Sequence, residues 1–198
     1  MQAPLHLNVP YVVRIRFRRP LSDRRFLRIC RANPDLRLER TARGELIVMT
    51  PASADAGRRN ADLSTQLGTW ARADGRGFAF DSSAGFTLPN GAVRAPDASW
   101  ILKDRWDALT PDERKGFAHV CPDFVAELRS ASDRLRDLRE KMAEYLGQGA
   151  RLGWLIDPPR RVVEVYRPGR EVDVLTGPAS VSGGDVLPGF VLDLKDIL

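Results

Sequence analysis

The order of helix-like and strand-like patterns along the chain constrains its fold more than any other sequence feature. Strand-like runs outnumber helical ones, and long helices do not alternate regularly with strands, which excludes a Rossmann-type repeat. The patterns predict, in chain order, a short helix after Ser22, a hairpin over 36–50, a helix over 55–74, strands at 78–80, 85–88 and 93–102, a helical or irregular stretch over 103–119, a strand over 124–129, a helix over 135–149, a hairpin over 151–166, and edge strands at 172–175, 186–187 and 191–194. We therefore expect a mixed α/β (α+β) fold.

Length and composition indicate one globular domain. The 198 residues are 43% apolar, which is enough for a core and excludes wholesale disorder. No stretch approaches the ~20 apolar residues of a membrane span, and arginines interrupt every apolar run in the first 20 residues. Two cysteines, Cys30 and Cys121, cannot build a disulfide framework. We expect a cytoplasmic protein that has no contact with a membrane.

Positive charge is concentrated at the start of the chain. The net charge is +5, yet residues 1–31 hold eight arginines against the single acid Asp23 and carry +7, so the remainder carries −2. This distribution predicts a basic N-terminal arm, residues 1–19, in front of a single domain, residues 20–198. Such an arm can lie along a polyanion backbone. Arginine also outnumbers lysine 27 to 4 throughout, so a GC-rich genome explains the excess equally well.

Several common catalytic motifs are absent. The sequence has no Gly-rich phosphate loop and no Cys-x-x-Cys pair, and its only histidines are His6 and His119. Neither histidine lies in a context typical of a zinc site or a Ser-His-Asp triad. Any enzymatic chemistry must therefore rest on carboxylates, lysine or arginine.

Two acids lie inside strand-like runs, where acids are uncommon. Asp97 follows Pro96 within the run 93–102, and Glu127 lies within the run 124–129. Period-two alternation places Glu127 and Arg129 on one face of the second strand. Two carboxylates on neighbouring strands can hold a hard divalent cation, Mg²⁺ or Mn²⁺. The alternative is that each acid points outward from a half-exposed strand.

The spacing of these acids resembles a nuclease signature. Pro-Asp, about 30 residues and then Glu-x-basic resemble the PD-(D/E)xK pattern. Further motifs occur along the chain: GELIVMTP at 44–51, GRRN at 57–60, RAPD at 94–97, PDFVAELRS at 122–130, DRL at 133–135, KMAEYL at 141–146 and GWLIDP at 153–158. With these motifs, residues 20–195 resemble the Uma2 family of predicted restriction endonucleases. The resemblance implies a restriction-endonuclease-like fold, with a mixed central sheet flanked by helices.

The resemblance also implies which residues form the site. Asp97 and Glu127 match the metal-binding acids of the family, and Lys141 matches a catalytic lysine on the following helix. Lys141 lies at the edge of that helix's apolar stripe, from where it can reach Glu127 or, alternatively, form a surface pair with Asp137. Glu39 matches an acid that the family carries near its first hairpin. Glu39 is then either a further metal ligand or an orienting group. The alternative is that it is an exposed acid of the hairpin. Arg129 replaces the usual lysine and cannot act as a general base, so we expect it to contact phosphate.

These features predict a metal-dependent endonuclease that hydrolyses DNA, with Asp97, Glu127 and Lys141 as catalytic residues and the Leu128 carbonyl as an additional ligand. One alternative is a non-catalytic nucleic-acid-binding module that retains the nuclease fold. A second is a partner-binding domain whose acids are merely exposed, which predicts an apolar dimer patch. The sequence leaves a homodimer open.

Overall fold

The computed structural model describes residues 12–49, 52–131 and 133–198. The helices are α1 (Asp23–Ala32), α2 (Ala54–Asp74), α3 (Lys103–Asp107), α4 (Pro111–Arg114) and α5 (Leu135–Gly147), with a 3₁₀ turn at Pro158–Arg160. The strands are β1 (Val12–Ile15), β2 (Arg37–Arg40), β3 (Leu46–Met49), β4 (Gly77–Asp81), β5 (Phe86–Thr87), β6 (Val93–Arg94), β7 (Ala98–Leu102), β8 (Phe124–Leu128), β9 (Leu152–Asp157), β10 (Val162–Tyr166), β11 (Asp173–Thr176), β12 (Ser180–Ser182) and β13 (Val191–Asp193). None of the helices in this described part is long and apolar enough to cross a membrane.

A six-stranded mixed sheet forms the centre, in the order β11-β10-β9-β8-β7-β4. Strands β8 and β9 are parallel because α5 connects them, and the other neighbours are antiparallel. Helix α2 covers one face through Leu63 and Leu67, and α5 covers the other through Met142 and Tyr145. The prediction of a mixed sheet flanked by helices is therefore confirmed.

A second sheet, antiparallel and in the order β1-β3-β2-β6-β5, carries α1 on one face. Phe26 of α1 is buried against Leu38 of β2 and Leu46 of β3. Leu38 therefore faces α1, and period-two alternation turns its neighbours Arg37 and Glu39 to the opposite face. Strand β1 lies within the predicted arm and pairs with β3, while residues 1–11 of that arm, including His6, lie outside the described residues.

The structure divides the predicted strand 93–102 in two. Strand β6 pairs with β2 and β5 in the second sheet, and β7 pairs with β4 and β8 in the central sheet. The break falls at Ala95 and Pro96, and Pro96 has no N–H to donate to a sheet. Asp97 therefore lies where the chain passes from one sheet to the other. At the end of the chain β12 replaces the strand expected at 186–187.

The turn between β2 and β3 packs closely against the chain before α1. Gly44 has φ +73°, and a Cβ there would lie 2.6 Å from the Pro20 Cβ and 2.7 Å from the Leu21 nitrogen. We expect Gly44→Ala to lower the free energy of unfolding by about 1–3 kcal/mol. Gly68→Ala, in an open position of α2, is expected to raise it by about 0.5–1 kcal/mol. Urea denaturation measures both, and a Gly44→Ala variant as stable as wild type contradicts this account of the turn.

Candidate functional site

The adjoining ends of β7 and β8 bring Asp97 and Glu127 together. Ala98 pairs with Ala126 in the antiparallel ladder, and one further step of this register sets Asp97 opposite Glu127. Residues directly opposite in an antiparallel pair share a face of the sheet. The Leu128 N–H also donates to Asp97 Oδ2 at 2.9 Å, which fixes the carboxylate at the end of β8. The two predicted acids are therefore neighbours on the α5 side of the sheet.

Glu127 is buried rather than directed into solvent. Its exposed fraction is 3%, because α5 covers this face of the sheet. The Tyr145 hydroxyl donates to Glu127 Oε1 at 3.1 Å, and Lys141 Nζ lies 2.8 Å from the same oxygen. Both of these contacts are made to Oε1. The reading in which the acids are merely exposed is wrong for Glu127.

Lys141 links two buried carboxylates. Its side chain is 12% exposed, and Nζ lies 2.8 Å from Glu39 Oε1 as well as from Glu127. The alternative surface pair with Asp137 does not form, since Asp137 pairs with Arg14 and Arg136 instead. From the edge of the apolar stripe of α5, Lys141 thus contacts one acid of the second sheet and one acid of the central sheet.

Glu39 is held by two cations and one backbone N–H. It is 2% exposed, so the alternative of an exposed hairpin acid is wrong. Besides Lys141, Arg94 Nη1 lies 3.0 Å from Glu39 Oε2, and the Ala95 N–H donates to Oε1 at 3.1 Å. Arg94 Nε also binds Glu144 of α5 at 2.6 Å. Glu39 therefore positions Lys141 and connects α5 to the strands of the second sheet.

Arg37 is the cation nearest to Asp97. Its Nη2 donates to Asp97 Oδ1 at 3.0 Å and to the Ala95 carbonyl at 2.9 Å. The sequence patterns did not indicate a role for Arg37, Arg94, Glu144 or Tyr145. Two signals could have found some of them: Arg37 shares a strand face with Glu39, and Tyr145 follows Lys141 by one helical turn. We call seven residues the charged cluster: Arg37, Glu39, Arg94, Asp97, Glu127, Lys141 and Glu144.

Burial and neighbouring charges move the pKa values within the charged cluster apart. Burial raises the pKa of Glu127 to about 7, against the opposing effect of Lys141 and with support from Asp97 and Glu39. Burial acts on Glu39 in the same direction, but Lys141 and Arg94 outweigh it and bring that pKa down to about 2. Burial alone would lower the pKa of Lys141, yet Glu127 and Glu39 raise it above its ordinary value. Lys141 is therefore a cation and a hydrogen-bond donor at neutral pH.

Arg129 does not contact the charged cluster. Its Nη1 binds both oxygens of Asp157, at 3.0 and 3.1 Å, and its Nε donates to the Asp133 carbonyl at 3.3 Å. Asp157 is 1% exposed, so this ion pair joins the end of β9 to the turn after β8. The strict Glu-x-basic position is thus occupied by an arginine that holds together the loops around the site.

A cavity of about 510 Å³ opens beside Asp97, and we call it the Asp97 cavity. Its walls include Ser53, the N-cap residue of α2, Asn60 of α2, Arg37 of β2, Leu128 of β8, and Ser130 in the turn that follows. A second cavity of similar volume, about 520 Å³, lies between α2 and β4 and contains none of the charged cluster. The Asp97 cavity therefore gives a substrate access to Asp97, the acid of the pair that lines it.

The donor atoms at the paired acids suit a hard divalent cation. They are carboxylate oxygens, which Mg²⁺ and Mn²⁺ prefer, and no histidine or cysteine belongs to the charged cluster. The described residues contain no group of three or more metal-ligating side chains. Mg²⁺ commonly binds through one or two carboxylates and completes its shell with water and substrate phosphate. The carboxylates of Asp97 and Glu127 fit that mode of binding.

Comparison with known proteins places this arrangement in a family. No curated protein matches the chain. A solved structure, described as a putative nuclease belonging to DUF820 from Anabaena variabilis, superimposes with a TM-score of 0.68, with 22% sequence identity over 81% of this chain and 88% of that one. At this identity the likeness shows the shared fold. The family model described as Uma2, putative restriction endonuclease, matches residues 23–195, and the chain therefore belongs to the Uma2 family.

Proposed function

We propose that the chain is a divalent-cation-dependent endonuclease that hydrolyses phosphodiester bonds of DNA. The observation that carries this proposal is the juxtaposition of Asp97 and Glu127 across β7 and β8, with Lys141 bound to Glu127. Membership of a family of nucleases supports it. Paired acids at a strand end, a neighbouring ammonium and an adjacent cavity are the parts that metal-assisted hydrolysis requires.

Asp97 and Glu127 would hold the cation, Mg²⁺ or Mn²⁺, and the Leu128 carbonyl would be an additional ligand. When bound, the ion supplies a Lewis acid for a phosphoryl oxygen and lowers the pKa of a bound water. The Leu128 N–H orients Asp97 through its bond to Oδ2, and the Tyr145 hydroxyl orients Glu127 through its bond to Oε1. Both acids thus enter the reaction in fixed positions.

Lys141 acts as a cation rather than as a general base. Its raised pKa keeps the ammonium protonated, so it donates hydrogen bonds to the attacking water or to the charge that develops on the phosphoryl group. Glu39 is a positioning residue, because its Oε1 lies 2.8 Å from Nζ. Arg129 has Nη2 left for a phosphate oxygen, since its other two nitrogens bind Asp157 and Asp133.

Cleavage of DNA by the purified full chain tests the proposal. We expect supercoiled plasmid or single-stranded DNA to be cut in Mg²⁺ or Mn²⁺ and to remain intact in EDTA. The Asp97→Asn variant, purified in parallel, excludes a contaminating nuclease if it leaves the DNA intact. Absence of cleavage under all these conditions, together with retained DNA binding, favours the non-catalytic binding module instead.

The basic arm is proposed to contact the DNA backbone. Arg14 pairs with Asp137 and Arg16 with Glu45, whereas Arg18 and Arg19 are exposed and pair with no acid of the described chain. We expect Arg18→Ser/Arg19→Ser to weaken DNA binding and to reduce the slope of log K against log salt by about 2. These substitutions keep β1, which a deletion of residues 1–19 removes.

The matched control for this measurement is Arg170→Ser, an exposed position beyond β10, which is expected to leave the slope unchanged. Fluorescence anisotropy over a series of salt concentrations measures all three proteins. Equal slopes for the wild-type chain and the double variant contradict a role for the arm in phosphate contact.

A further inference from the structure

Arg37 differs from the other cations of the charged cluster in its surroundings. Arg94 and Lys141 each bind two carboxylates and are 11% and 12% exposed, whereas Arg37 binds Asp97 alone and is 35% exposed. It lines the Asp97 cavity, and its buried Nε has no hydrogen-bond partner within the described residues. Arg37 is therefore the cation that binds the fewest carboxylates, and it has open space beside it.

The formal charge of the charged cluster shows what a divalent cation would do to Arg37. When all four carboxylates are ionised, they and the three cations sum to −1. If a divalent cation binds while all seven side chains stay in place, the net charge of this largely buried site becomes +1. The bound ion then repels Arg37 most strongly, because both are bound to Asp97. Without Arg37 the same side chains carry −2, which a divalent cation balances.

We propose that Arg37 is a resident counter-ion of Asp97, which a divalent cation displaces into the Asp97 cavity, where the freed guanidinium binds a phosphate oxygen of the DNA. The inference rests on the proposed function, and it assigns Arg37 a role in coupling cation binding to substrate binding. Planar guanidinium groups bind phosphate through two parallel hydrogen bonds. Nε and one Nη of Arg37 form such a pair of donors.

Binding of Mn²⁺ to the full chain in the absence of DNA tests the exchange. Arg37→Met removes the competing charge, and we expect it to bind Mn²⁺ about tenfold more tightly than wild type or better. Arg37→Lys keeps the charge and is expected to remain within about threefold of wild type. Arg139→Met, which removes an arginine from the buried Glu164 outside the charged cluster, is the matched control and is expected to leave Mn²⁺ affinity unchanged.

Duplex DNA binding, in EDTA and in Ca²⁺, tests the second half of the proposal. In EDTA the guanidinium remains with Asp97, and Arg37→Met is expected to bind DNA as wild type does. In Ca²⁺ the variant is expected to bind about tenfold more weakly, since the freed arginine is missing. The duplex is checked for integrity after each titration.

The outcomes separate this inference from the proposed function. Equal or weaker Mn²⁺ binding by Arg37→Met overturns the exchange and leaves the metal site standing. An equal loss of DNA affinity in EDTA and in Ca²⁺ also overturns it, because Arg37 then contacts DNA without being displaced. Absence of Mn²⁺ binding to the wild-type chain and to every variant overturns the metal site and the exchange together.

Discussion

A Glu127→Gln variant is expected to lose divalent-cation-dependent cleavage by about 10³-fold or more while it folds as stably as the wild-type chain. The amide has the shape of the carboxyl group, and its oxygen still accepts hydrogen bonds from Lys141 and Tyr145. It lacks the negative charge that attracts a cation. Burial raises the pKa of Glu127 to about 7, so the charge is the costly part of this side chain and its removal does not weaken the fold.

Single-turnover cleavage, Mn²⁺ titration calorimetry and urea denaturation measure the three effects. The matched control is Asp123→Asn, another buried acid, which lies at the opposite end of β8 and pairs with Arg105. This control is expected to lose stability and to retain Mn²⁺ binding. If Glu127→Gln cuts DNA as fast as wild type and binds Mn²⁺ equally, Glu127 is not a ligand and the proposed site is wrong.

Local patterns in the sequence predicted the central elements and the strand face of Glu127, and the resemblance to the Uma2 family supported the pairing of the two acids. Period-two alternation placed Glu127 on one face of β8, and the helical pattern placed Lys141 at the edge of the apolar stripe of α5. Both inferences depend on residues that are close in sequence, where strand and helix geometry leave few choices. The juxtaposition of Asp97 and Glu127 required only that their two strands be neighbours, which the ladder between β7 and β8 provides.

The partners of these residues could not be predicted in the same way. Arg37 and Glu39 reach the acids and Lys141 from a different sheet, across separations of 60 and 102 residues. Periodicity assigns each of them a face but does not show which element covers that face. The contacts of Arg129 could not be predicted for a different reason. Strand β8 ends at Leu128, so period-two alternation no longer fixes the direction of the next side chain. Its ion pair with Asp157 depends on the parallel β8–β9 pairing.

Lys141→Met is expected to reduce cleavage by about 10²–10³-fold and to lower the free energy of unfolding by roughly 1–3 kcal/mol. The ammonium contacts Glu39 and Glu127 at 2.8 Å each, so the substitution leaves two buried carboxylates with fewer partners. Arg94 still neutralises Glu39, and Glu127 can take up a proton. The expected loss in the free energy of unfolding is therefore smaller than that of leaving buried carboxylates charged and without a partner. The variant alone therefore confounds a catalytic role with a structural one.

The double variant Glu39→Gln/Lys141→Met separates these roles. Removing the Glu39 charge relieves part of the electrostatic cost of losing Lys141, so we expect stability to recover toward that of Glu39→Gln. Cleavage is not expected to recover, because no ammonium then lies beside Glu127. Urea denaturation and single-turnover kinetics on the two single variants and the double variant complete the cycle. Recovery of cleavage together with stability would show that Lys141 serves only as a counter-ion for buried acids, and the proposed chemistry would then rest on Asp97 and Glu127 without it.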